Sequence, residues 1–213
     1  MIPVTVTETI VQIQPMPATK KFTLFTRAET ISLIIIFVVL AAVSIPNFAA
    51  SLRRARDQVR RDDLGGMQKY LALYYAEFGQ FPLSSPDGKV MDCIAPGDKP
   101  FKDKKGNWVV NTIPCIWGKD RFINLITGKV YSPTSLPNDP DWNKGVAYFY
   151  MSDGDRYQIF ASMEISSEAE VDPKIISQKI SCGSRICNVG RSFGCNIPKT
   201  LKECEEEASS LKK

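Results

Sequence analysis

The chain has 213 residues, enough for one globular domain and an appendage but not for two large domains, which excludes a multidomain enzyme. Lys+Arg 27 against Asp+Glu 23 leaves a net charge of +4, too little to neutralise phosphates wholesale, so the composition gives nucleic-acid binding no support. There is no histidine, which removes the commonest general base and a common metal ligand, and with them His-based triads and His-ligated zinc.

Residues 1–24 are polar, carry Pro3, Pro15 and Pro17, and end near Lys20 and Lys21; they read as a leader outside the fold. From Ile31 to Ile45 the chain runs ISLIIIFVVLAAVSI without a charge, and it stays mostly apolar to Ala50. Counted that far, it reaches roughly the 20 residues of a bilayer-spanning helix. Three readings follow. The block is an uncleaved signal anchor; or a removable secretory signal, whose best cleavage pattern, Ala42-Val43-Ser44, lies inside the run; or a segment in which Glu29, just before the apolar run, has a task of its own. A carboxylate carried into hydrocarbon costs a few kcal/mol, so Glu29 requires a cation or the interface, with Arg27 as the partner nearest in sequence.

Pro46 removes one helical hydrogen bond and predicts a kink or local melting at the membrane exit. Beyond it Phe48, Leu52, Ala55 and Val59 recur at helical spacing, and Met67, Tyr70, Leu71, Tyr74 and Phe78 resume the stripe. One long amphipathic helix is predicted, loosened at Gly65-Gly66 and stopped by Gly79 and Pro82. Arg53, Arg54, Arg56, Arg60 and Arg61 form a basic ring on it, relieved by Asp57, Asp62 and Asp63, and suited to lipid phosphates or to bridging subunits. Counted by the positive-inside rule against Lys20, Lys21 and Arg27, these five arginines place the C-terminal domain inside the cell. The cysteines argue the reverse.

Cys93, Cys115, Cys182, Cys187, Cys195 and Cys204 predict disulfides in an oxidising compartment, with Cys93–Cys115 closing one loop and the last four stapling a polar, glycine-bearing tail. The pairing within the tail stays open, and four-thiolate zinc is the competing account, although the spacing lacks paired C-x2-C knuckles. Before the tail, Val146–Met151 and Arg156–Ile165 read as a hairpin about Asp153-Gly154, with Tyr157, Ile159, Ala161, Met163 and Ile165 facing the long helix. A weaker hairpin joins Phe122–Ile126 to Lys129–Tyr131. Asp139, Asp141, Asp153 and Asp155 invite a calcium site, but Asp-Gly and Asn-Asp-Pro-Asp are ordinary turn chemistry, and neither a metal nor another cofactor is expected. The fold class is α+β: a long, partly transmembrane N-terminal helix packed on a small antiparallel sheet, with a disulfide-stapled tail.

Two stretches carry a resemblance. FTRAETISLIIIFVVLAAVSIPNF, from Phe25 to Phe48, resembles the N-terminal segment of type IV prepilins and type II secretion pseudopilins. With Phe25 as the first mature residue, Glu29 falls on the fifth-position glutamate, Ala41-Ala42 on the paired alanines and Ile45-Pro46-Asn47-Phe48 on the I-P-N-F exit. Tyr74–Pro82, YYAEFGQFP, is similar to the family's Y-x-x-x-G-x-Y-P ending of the long helix. The likeness covers roughly residues 20–82, and Leu24 stands where the family has its processing glycine.

The resemblance implies a leader over 1–24, a transmembrane and assembly helix over 25–50 and an amphipathic continuation over 51–81; the residues themselves add loops and sheet over 82–165 and a Cys-rich tail over 166–213. It implies a non-enzymatic subunit in the cytoplasmic membrane, its C-terminal domain outside, assembled through Glu29 and the helix around Pro46 into a pilus or secretion pseudopilus. Its implied partners are other pilin subunits in homo- or hetero-filaments, a prepilin peptidase acting between Leu24 and Phe25, an assembly ATPase with its inner-membrane platform, and membrane lipid; nucleic acid is not among them. The alternative is an uncleaved membrane-tethered adhesin or ligand-binding module. An extracellular enzyme is a third class, for which no nucleophile with a base can be pointed to.

Overall fold

The computed structural model describes residues 26–197 and 199–210. The expected leader and processing junction, including Leu24 and Phe25, lie outside the described residues. The chain divides into two units after Asn47. A single helix, α1 (Arg27–Phe78), contributes to both, and the predicted melting at Pro46 does not occur: helical assignment continues through it. Proline offers no amide, so the carbonyl of Ala42 goes without its usual donor there. Gly65 and Gly66 do not break α1 either, because Leu64, Met67 and Leu71 around them are buried, at roughly 1.5–3 kcal/mol each against about 1 kcal/mol per glycine. Gly79, at φ 68°, ends the helix and donates its N–H to the Tyr75 carbonyl at 2.8 Å.

Within residues 48–213, short antiparallel pairs follow α1. Strand β1 (Cys93–Ile94) pairs with β4 (Thr112–Ile113), enclosing the ribbon of β2 (Phe101–Lys102) and β3 (Trp108–Val109). Strands β5 (Arg121–Ile123) and β6 (Val130–Ser135) form the weaker of the two predicted hairpins, and Asn124 and Lys129 beside it bind Glu77 of α1 at 2.6 and 2.8 Å. The main hairpin is β7 (Phe149–Ser152) and β8 (Tyr157–Ala161). After a short helix α2 (Pro173–Ser177) and the small pair β9 (Ser181–Cys182) and β10 (Arg185–Ile186), strand β11 (Val189–Phe193) joins the far edge of β8; helix α3 (Leu201–Ser210) follows.

The sheet order β11-β8-β7 makes β8 central, and all five of its residues are buried. Tyr157, Ile159 and Ala161, with Met163 beyond them, join Leu64, Met67 and Leu71 of α1 in the principal core, as the alternation predicts. The opposite face is covered as well. Phe160 lies in a second core with Ile175 and the Cys182–Cys187 disulfide, and Gln158 donates to the Lys199 carbonyl at 2.6 Å. The polar tail is therefore part of the domain, supplying both the third strand and the cover of the sheet. Gly183 shows how closely it is fitted: at φ 72°, a Cβ there would stand 2.0 Å from the Gly145 carbonyl oxygen.

Both predicted strands of the main hairpin are shorter than expected because other partners take their amides. Val146 bridges to Gly183 and the Ala147 N–H donates to the Cys182 carbonyl. At the far end the Met163 N–H donates to the Asn188 side chain, and the Glu164 and Ile165 N–H groups donate to Asp57.

Candidate functional site

The N-terminal part of α1 is the first candidate. Thr26-Arg27-Ala28-Glu29 is a capping box: Glu29 Oε2 accepts from the Thr26 N–H at 2.7 Å, and Thr26 Oγ1 accepts from the Glu29 N–H at 3.4 Å. Glu29 thus has a partner in its own chain. That partner is Thr26 rather than Arg27, and the T-x-x-E spacing that sets it was legible in the sequence. Following it, Ile31, Leu33 to Leu40, Val43 and Ile45 are all exposed, with Phe37 at 72%. Helix α1 holds a stretch long and apolar enough to cross a membrane, and none of that stretch is buried within the protein.

The second candidate is the basic stretch, which the structure uses differently from the surface ring expected of it. The side of α1 facing the domain core runs Asp57, Arg60, Leu64, Met67, Leu71, at spacings of three and four, so its first two members are charged. Phe48, Leu52 and Val59, predicted to continue the buried stripe, are 66, 44 and 45% exposed. Arg60 is fully buried. Its Nε and Nη2 donate to both oxygens of Asp139 at 2.8 and 2.9 Å, Nη2 also to Asp141 at 3.0 Å, and Nη1 to Asp57 at 2.7 Å and Glu164 at 3.3 Å. Arg56 reaches Glu164 with two bonds of 2.5 and 2.7 Å, and Lys144 and Arg185 pair with Asp141. Four cations thus meet four carboxylates. Arg61 pairs with Glu168 and Glu170, which leaves Arg53 and Arg54 without an ion pair among the described residues.

The electrostatics follow from this balance. Burial works against the charge of Arg60, but the bonds and charge of Asp139, with Asp57 and Glu164, outweigh it and raise the guanidinium pKa. Burial likewise opposes ionisation of Asp141, yet Lys144, Arg60 and Arg185 bring it down to about 2. Arg56 is the main cause that holds Glu164 below the ordinary carboxylate range. Asp63, beside the cluster, is pushed up by burial, although it accepts a bond of 2.5 Å from the buried Tyr148 hydroxyl.

Asp139 and Asp141 are thus committed to guanidinium groups, and Asp153 closes the β7–β8 turn by accepting from the N–H groups of Asp155 and Arg156. The predicted disulfides are present as Cys93–Cys115, Cys182–Cys187 and Cys195–Cys204, which settles the tail pairing and removes the thiolate zinc alternative. An oxidising environment fits them. Comparison of the chain with known protein families, with curated proteins and with solved structures finds no match.

Proposed function

We propose that the chain is a non-enzymatic, pilin-like structural subunit, held in the cytoplasmic membrane and assembled through its N-terminal helix into a type IV pilus or secretion pseudopilus. The observation that carries this reading is α1 itself: one helix whose early turns past Glu29 expose an uncharged, mostly apolar surface and whose later turns build the core of a disulfide-bonded domain. A helix that buries none of its apolar surface in its own chain requires lipid or other helices around it. In this reading lipid covers the segment first and like subunits cover it afterwards. A prepilin peptidase frees the Phe25 amine, and an assembly ATPase on its inner-membrane platform drives the transfer. Glu29 then meets the freed amine of a neighbouring subunit; Oε1, which has no hydrogen bond among the described residues, remains to receive it.

A membrane-tethered adhesin with its leader intact is the second reading, favoured by Leu24 at the processing position and by the Thr26–Glu29 box, which gives Glu29 work without a neighbour. N-terminal sequencing of protein extracted from membranes and from sheared surface filaments separates the two. A mature chain beginning at Phe25 supports the subunit, and a full-length chain confined to membranes supports the adhesin. Glu29→Gln is expected to insert normally yet vanish from the filament fraction, and an unchanged filament yield would overturn the assembly role.

A further inference from the structure

A cavity of about 290 Å³ opens where α1 gives way to the loops, between Tyr74, Pro82, Leu83, Met91, Asp92 and Thr112. Its size is at the small end of ligand pockets. Asp92 is its one charged lining residue. That side chain is only 5% exposed; Oδ1 accepts a 3.2 Å bond from the Tyr74 hydroxyl, while Oδ2 is buried without a hydrogen-bond partner among the described residues. Among the described residues no arginine or lysine pairs with Asp92.

An unpaired carboxylate oxygen in such a place is costly, because burial strips its hydration and nothing replaces it. The same burial pushes the Asp92 carboxyl up to about 7. The fold could have neutralised this acid as it does Asp139, with an arginine, and it does not. Register fixes the arrangement. Asp92 immediately precedes Cys93, which is tied to Cys115, and the Met91 N–H is held by the Leu83 carbonyl at 2.9 Å. The carboxyl is therefore presented by a braced strand end rather than a loose loop. Leu83 and Met91, both accessible, supply apolar walls beside it.

We propose that this cavity binds a small alkylammonium ion, its charged head paired with the Asp92 carboxylate and its hydrocarbon lying along Pro82, Leu83 and Met91. The ammonium supplies the donor that Oδ2 lacks, an anion would be repelled by Asp92, and a neutral ligand would leave the carboxylate uncompensated. The site takes Tyr74 from the last turns of α1 and nothing from its apolar early turns, and it holds whether or not the chain assembles into filaments.

The test is a titration of the full chain in detergent micelles with n-butylammonium chloride, read by NMR shifts of the Leu83, Met91 and Thr112 amides. Saturable shifts at millimolar concentration are expected, with n-butanol, the neutral analogue of similar size, binding about tenfold or more weakly. Asp92→Asn, which keeps the shape, is expected to lose the preference for the ammonium. Thr112→Trp, on the exposed side of the opening, is expected to block both ligands and keeps the test alive should the first variant misfold. Equal binding of butanol and butylammonium, retention of the preference in Asp92→Asn, or no saturable shift would each overturn the proposal.

Discussion

Arg60 and Asp139, 79 positions apart, meet in two parallel hydrogen bonds with both side chains fully out of solvent. The planar fork of the guanidinium fits the two carboxylate oxygens, and Asp57, Asp141 and Glu164 satisfy its remaining donors. The pair joins the middle of α1 to the loop ahead of β7, and through Asp57 and Glu164 to the segment leaving β8. It ties the helix to two separate segments of its own domain by charge-assisted bonds.

Removing one partner leaves the others charged and buried. Arg60→Ala is expected to cost about 3–5 kcal/mol of domain stability in urea unfolding. Arg60→Lys recovers only part of it, since an ammonium cannot bond both Asp139 oxygens in the fork geometry.

Asp57 has a narrower role: its carboxylate accepts the backbone N–H groups of Glu164 and Ile165 at 2.9 and 3.0 Å. Asp57→Ala leaves those amides without partners and is expected to cost about 1–3 kcal/mol or more. Hydrogen exchange at Glu164 and Ile165 should accelerate more than at the β8 amides, and uniform acceleration across β8 would contradict the local role.

Stability should respond to pH in two opposed ways. Asp141 and Glu164 bind protons less tightly folded than unfolded, so their contribution is present above the ordinary carboxylate pKa and is lost as pH falls from about 4 towards 2. Burial raises Asp92 to about 7, against the opposing bond from the Tyr74 hydroxyl. Its contribution is complete below about pH 4 and is lost as pH rises through 7. Asp92→Asn should therefore raise the unfolding temperature at pH 8 while giving no gain at pH 4. An equal shift at both values would refute that assignment.

The capping box and the assembly role of Glu29 make different demands. Thr26→Val removes the hydroxyl half of the box, the Oγ1 that accepts from the Glu29 N–H, and keeps the backbone N–H that donates to Glu29 Oε2; it should fray the first turn of α1, a loss of about 1 kcal/mol, while leaving the Glu29 charge in place. Filament yield in Thr26→Val is expected to stay within about twofold of the parent, in contrast with Glu29→Gln. Matching losses in the two variants would assign Glu29 to capping alone.

The class of fold was legible from the sequence because its signals are local. The uncharged run from Ile31, the stop at Gly79, the Asp153-Gly154 turn and the alternation from Tyr157 to Ala161 each depend on near neighbours. The Thr26–Glu29 box is just as local, set by T-x-x-E spacing rather than by a partner of opposite charge. Which side of α1 the domain would bury was not legible. Helical periodicity ranked Phe48, Leu52 and Val59 as inward and Arg60 as outward, and the structure reverses the order.

What the sequence determined by itself is the membrane-length apolar helix, the oxidised cysteine framework and the strands that pair nearest in the chain. What only the tertiary structure decided is which polar groups go inside. Arg60 can be buried only because Asp139, Asp141 and Glu164 arrive from segments about 80 to 100 positions away, and β8 becomes central only because Val189–Phe193 returns to its free edge. Desolvation of a charge is tolerable when the opposing charges are already in place, and that condition is set by the folded chain rather than by any stretch of it.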